Sequence, residues 1–166
     1  MMKKSYRFCF LDKQRVGDTL PALFDILYEN MEQIAPFGKP YGDAKAEWLG
    51  QVAPAMAKEK RQIILMHDGD ALVGYAQYYT NDRLLMIEEI QLVRSFQRTR
   101  LLSEFLKFMK AVLKDKPEYI EAYADKRNVN SMRLMESLGM KIIGTDGGFY
   151  HYRGSLGAFQ KVGKEK

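Results

Sequence analysis

Two arginines, Arg98 and Arg100, stand two residues apart in the run RSFQRTR, directly before an apolar helical stripe. Guanidinium groups so placed can make charge-assisted, bidentate bonds to phosphate oxygens, and the start of a helix favours an anion through its unpaired N–H groups and its dipole. Upstream lies LLMIEEIQL, an apolar strand pattern interrupted by Glu88 and Glu89. Side chains two apart share a strand face, so Met86, Glu88, Ile90 and Leu92 point one way and Ile87, Glu89 and Gln91 the other. A phosphate-bearing cofactor explains the local positive charge of this loop better than a nucleic-acid duplex does.

The rest of the chain supplies elements able to hold such a loop. YRFCFL alternates and predicts an opening strand. Asp18 or Thr19 can cap a helix with Pro21 in its first turn and Leu20, Leu23, Phe24, Leu27 and Met31 at helical spacing, ending before Pro36. A second helix is expected from Asp43 to about Lys58. RQIILMH and ALVGYAQYYT read as a hairpin around His67–Asp70, and LLMIEEIQLV as the next strand. Leu101, Leu102, Phe105, Leu106, Met109, Val112 and Leu113 form a helical stripe that Pro117 stops. YIEAYAD is a strand, Asn128 or Asn130 caps a helix that Gly139 ends, and MKIIGT and GGFYHYRGSL are two last strands. The predicted order is β-α-α-β-β-β-α-β-α-β-β.

Composition bounds the possibilities. A chain of 166 residues with 46% hydrophobic and 28% charged residues fits one ordinary soluble domain. No apolar run approaches the ~20 residues of a bilayer span, and Asp12, Lys13 and Arg15 interrupt the short apolar stretch near the amino terminus, so a cytoplasmic location is expected. Cys9 is the only cysteine and His67 and His151 the only histidines, which argues against a disulfide or a metal site. The net charge of +5 would permit an anionic partner. Its 26 basic residues are interleaved with 21 acidic ones, which argues against nucleic acid.

The element order, the loop and a later pattern together resemble the GCN5-related N-acetyltransferase (GNAT) superfamily. Gln97 keeps the Gln/Arg position of that family's pyrophosphate loop; Arg100 and Leu102 occupy its two late glycine positions and Arg98 the early variable one. Asn128, Ser131, Leu134, Met135, Glu136, Gly139 and Met140 follow the family's later pattern, with methionine where a tyrosine often protonates the departing thiolate. The resemblance covers roughly residues 5 to 158.

It implies an α/β (α+β) fold with a mixed, mostly antiparallel central sheet whose fourth and fifth strands splay apart. It makes residues 1 to 158 a single acyl-CoA N-acyltransferase-like domain, followed by a basic tail at 159 to 166. The implied cosubstrate is acetyl-CoA, without a metal. Pantetheine would pair with the fourth strand near Ile90 and Leu92, the pyrophosphate would meet Gln97, Arg98, Thr99, Arg100, Leu101 and Leu102, and Asn128 and Ser131 would also contact the cofactor.

The implied reaction is direct attack of a primary amine on the thioester. Glu88 is the candidate base, one pleat beyond the family's usual position at Met86, and Tyr123, Tyr150 or Tyr152 are candidate proton donors to sulfur. Acceptor recognition would fall to the first helices and the third and last strands, which carry Tyr28, Glu29, Glu32, Tyr41, Trp48, Tyr78 and Tyr79. A homodimer through the aromatic last hairpin is compatible with the pattern. The alternative is a noncatalytic module of the same fold that binds acyl-CoA or another ligand.

Overall fold

A computed structural model describes residues 5–58, 60–114 and 116–157; the basic tail expected at 159 to 166 lies outside them. Seven strands form one sheet in the order β1-β2-β3-β4-β5-β7-β6. The strands are β1 (Tyr6–Phe10), β2 (Gln62–Asp68), β3 (Ala71–Thr80), β4 (Leu84–Leu92), β5 (Tyr119–Asp125), β6 (Lys141–Asp146) and β7 (Phe149–Ser155). The helices are α1 (Val16–Met31), α2 (Tyr41–Lys58), α3 (Leu101–Leu113) and α4 (Val129–Ser137). β4 and β5 run parallel, whereas β1–β2, β5–β7 and β6–β7 are antiparallel.

The predicted order of elements is therefore present, with three local differences. α1 begins at Val16, not after Asp18, because Asp12 caps a preceding 3-10 turn that feeds the chain into the helix; its carboxylate accepts from the Gln14 amide at 2.9 Å. α2 begins at Tyr41, two residues before Asp43. α3 stops at Leu113 because Lys114 adopts a left-handed conformation, with φ +50°, so the helix is over before Pro117 can act.

The chain divides into two compact units. The first holds residues up to Gln77 together with Glu89–Arg98. Its core joins Leu20 and Leu23 of α1 and Val52 and Met56 of α2 to Ile63, Leu65 and Tyr75 of the strands. Within it Gly74 of β3 allows β4 to come close: a Cβ there would stand 2.7 Å from the Gln91 carbonyl oxygen and 2.7 Å from Leu92 Cδ2. Backbone cannot step aside as a flexible side chain can. Gly74→Ala should therefore cost about 1–3 kcal/mol, read as a lower urea midpoint of unfolding, as overpacked sites do.

The second unit holds Tyr78–Glu88 and the chain from Thr99 onward. Leu84–Ile87 of β4 pair with Tyr119–Ala122 of β5, and pairing ends there although β4 continues to Leu92 and β5 to Asp125. One face of this part is apolar and buried, with Leu85, Ile87, Ile120, Ala122 and Tyr152. Gly139, at φ +75°, ends the turn after α4, and Gly147, at φ +52°, makes the tight turn between β6 and β7. No helix among the described residues is long and apolar enough to cross a membrane.

Candidate active site

In the second unit, alternation and register place Glu88, Tyr123 and His151 on one sheet face. Met86 is opposite Glu121, and Glu121 is opposite Arg153; one pleat further, Tyr123 is opposite His151. Glu88 is the next residue of β4 on the Met86 face, one position past the last β4–β5 pair. It is half-buried. Tyr123 is 45% exposed, and its ring stacks on the His151 imidazole with centroids 4.3 Å apart and planes 12° from parallel.

Glu121 is buried beneath this pair. His151 Nε2 lies 2.7 Å from its Oε2, and the Arg153 guanidinium grips Oε1, with Nε donating at 2.6 Å. Burial pushes the Glu121 carboxyl up, while the bonds from Arg153 and His151 pull it down. The bonds prevail, so the group lies below the ordinary carboxylate range. Arg153 also lies over the Tyr119 ring, 5.3 Å from its centroid. Residue types alone do not announce this network, since Glu121 is 30 and 32 residues from its two partners and only the β5–β7 register brings them together.

Tyr152 is poorly suited to give up a proton. Tyr152 points into the buried face, and burial, then the negative charge of Glu136, pushes its hydroxyl up. Tyr150 is engaged by Lys126, whose Nζ lies 5.1 Å from the ring centroid. Met135, at the family's tyrosine position, is buried.

The loop after β4 is shaped by side chains of the first unit. Asn30 of α1 donates from Nδ2 to the Leu92 carbonyl at 2.9 Å and to Gln91 Oε1 at 3.0 Å. Gln97 Nε2 donates to Asn30 Oδ1 at 3.1 Å and to the Leu92 carbonyl at 3.2 Å. Gln97 thus spends its amide nitrogen holding the loop to α1. Val93 N–H donates to the Val73 carbonyl at 2.9 Å, which anchors the same loop to β3. Sequence reasoning missed Asn30 because a polar residue at the end of an amphipathic helix reads as solvent-facing.

Further along, the turn into α3 reaches its shape without glycine. Among the described residues Lys114 is the only nonglycine with positive φ, so Arg98, Arg100 and Leu102 all keep negative φ. Thr99 Oγ1 accepts from the Leu101 amide at 3.2 Å, and Arg100 precedes the helix without capping it by its side chain. The Leu102 and Ser103 amides, in the first turn, have no acceptor inside the helix. Arg98 and Arg100 are exposed, and among the described residues neither guanidinium makes an ion pair. Leu101 is fully buried and fastens the helix start, whereas Leu102 is half-buried. Ile90 is half-buried and Leu92 buried.

Asn128 is the N-cap of α4, its Oδ1 accepting from the Ser131 amide at 3.0 Å. The cap accounts for both residues locally and leaves Asn128 Nδ2 as a donor. On α1 and α2, Tyr28 stacks on Phe37 with centroids 5.6 Å apart and meets Tyr41 edge-on at 5.1 Å, while the Tyr41 hydroxyl donates to Asp25. Glu32 accepts from the Phe37 amide at 3.0 Å, and Tyr78 is buried. No group of metal-ligating side chains occurs among the described residues.

The strands and helices of the described residues, in this order and with a parallel β4–β5 pair that stops midway along both strands, make the fold of the GCN5-related N-acetyltransferases. The chain is similar in structure to PaiA N-acetyltransferase from Thermoplasma acidophilum in complex with coenzyme A, at 14% identity over 91% of this chain and 99% of the other, with a TM-score of 0.67. An acetyltransferase from Thermus thermophilus superposes with a TM-score of 0.71, at 14% identity over 91% of this chain and 97% of the other. FdhC, a nucleotide-linked sugar GNAT in its apo form, gives 0.64 at 12% identity over 95% and 90%. No family model matches the sequence. No curated protein matches it either.

Proposed function

We propose that the protein is an acetyl-CoA-dependent N-acetyltransferase, built as a single acyltransferase domain, that acetylates a primary amine of a small molecule or peptide by direct attack, without a covalent enzyme intermediate. The observation that carries this reading is the turn into α3, where two exposed guanidiniums, without an ion pair among the described residues, precede a helix start with open amides in a fold whose structural neighbours include a coenzyme A complex. Arg98 and Arg100 take over the phosphate contacts that glycine-rich loops make with backbone amides, with Thr99, Leu101 and Leu102 shaping the turn. Gln97 keeps the turn in place. Ile90 and Leu92 offer the strand backbone to pantetheine, and Asn128 and Ser131 at the start of α4 add polar contacts.

The acceptor arrives as an ammonium ion. Glu88 takes its first proton, directly or across one water, and the freed nitrogen lone pair attacks the thioester carbonyl carbon. The backbone N–H close to Ile90 stabilises the developing oxyanion. The C–N bond forms, the C–S bond breaks, and Tyr123 supplies a proton to the departing thiolate. Since a thiol is an acid of pKa ~8.5, its thiolate leaves readily near neutral pH and Met135 in place of tyrosine is tolerable. Tyr28, Glu29, Glu32, Tyr41 and Trp48 serve the cationic acceptor as aromatic and acidic wall. The enzyme works in the cytoplasm, and its aromatic last hairpin is compatible with a homodimer.

Calorimetric titration with acetyl-CoA and with desulfo-CoA, at low and moderate salt, tests the cofactor; an amine panel scored by thiol release tests turnover. Micromolar binding with thiol release on one of the amines is the expected result. Binding without turnover would favour a noncatalytic acyl-CoA module, the reading to which Met135 lends weight because a thioether has no proton to give. Absence of binding would overturn both.

A further inference from the structure

We infer that His151, oriented by Glu121, is a second proton acceptor of this site and takes the proton that the acceptor nitrogen still carries after attack. The inference rests on the acetyltransferase reading and adds a residue to it. An ammonium that becomes an amide must shed two protons from nitrogen. Glu88 accounts for the first, taken before attack. The second is lost as the tetrahedral adduct collapses, when the C–S electron pair leaves with sulfur and the nitrogen–hydrogen electron pair stays with the new amide.

The structure holds one imidazole on the face of Glu88, and it is oriented. Glu121 is an acceptor, so the 2.7 Å contact requires the hydrogen on His151 Nε2, and the neutral ring then carries its lone pair on Nδ1. Among the described residues no donor occupies Nδ1. Stacking on Tyr123 fixes the ring plane, while the side chain stays 21% exposed, open to a substrate or water. Arg153 holds the other oxygen of Glu121, so the carboxylate cannot turn away from the imidazole.

The charged and titratable groups facing His151 are few. From β4 there is Glu88, from β5 Glu121 and Tyr123, and from β7 Arg153; β6 puts Gly144 directly opposite, with Lys141 opposite Arg153. Asp125, one pleat beyond Tyr123, is occupied by Arg127 through bonds of 3.0 and 2.8 Å. Once protonated, the imidazolium lies against the Glu121 carboxylate and returns its proton to solvent. Glu88 likewise gives up its proton and Tyr123 regains from solvent the one it passed to sulfur, so that of the nitrogen's two protons one is matched on sulfur and one is released.

His151→Gln keeps a donor for Glu121 but has no basic nitrogen, so the fold should survive. With an acetylated amine in hand, this variant is expected to lose kcat by about 10²-fold at pH 7 with an unchanged KM for acetyl-CoA. The loss should persist at pH 9, because abundant free amine replaces only the first deprotonation. Added imidazole should restore part of the rate. Nitrogen-15 NMR of the wild-type protein should show the Nε2–H tautomer. A variant within twofold of wild type from pH 6 to 9, or an Nδ1–H tautomer, would overturn the proposal and leave the acetyltransferase reading intact. A wild-type protein that binds acetyl-CoA yet acetylates nothing defeats that reading, and this proposal with it.

Discussion

Replacing Arg100 with alanine is expected to weaken acetyl-CoA binding by about 1.5–3 kcal/mol, the range for a hydrogen bond to a charged group. At 25 °C this is a rise in Kd of roughly tenfold to 150-fold, measurable by calorimetry at fixed salt. The size follows from the way the loop is built. In a glycine-rich loop the anion is shared among several backbone amides, so no single side chain matters much. Here Thr99 Oγ1 already takes the Leu101 amide, and the guanidiniums at 98 and 100 are the strongest donors left. The same logic gives a steeper salt dependence than an amide nest would show, because exposed guanidiniums are screened. Unchanged affinity in Arg100→Ala would mean that the arginines do not stand in for the missing glycines.

Glu88→Gln should act on the chemistry and leave the cofactor alone. At pH 7 turnover should fall by about 10²-fold, within the usual range for removing a general base, while acetyl-CoA binds as before. Raising the pH toward that of the free amine should recover much of the loss, since bulk water then performs the deprotonation proposed for Glu88 at neutrality. Steady-state rates across pH 6 to 10 decide the matter. Identical profiles for variant and wild type would remove Glu88 from the mechanism. Recovery at high pH in Glu88→Gln, set against its absence in His151→Gln, separates the two proton transfers.

Much of this is legible in residue order because periodicity is local. The alternation of LLMIEEIQL is enough to put Glu88 on the Ile90 face, and the stripe from Leu101 to Leu113 marks α3. What stays hidden depends on register or on local competition. YIEAYAD alternates correctly, but whether Glu121 meets solvent or a pair of cations depends on how β7 lies beside it, and with α4 and β6 between the two strands in sequence no local turn encodes that register. Lys114 hides its left-handed backbone behind an ordinary residue type, so Pro117 looks like the helix stop. Asn128 is legible as an N-cap, and the fold displays that cap.

Asn30 has a consequence beyond shape. Both ends of its amide are spent, one on the Leu92 carbonyl and Gln91, the other on Gln97. The loop after β4 is thereby held to α1, as the Val93 N–H bond holds it to β3. Immobilising a segment during binding subtracts from affinity, and a segment already fixed subtracts little. The phosphate receptor proposed at this loop would thus have incurred its entropy loss when the protein folded.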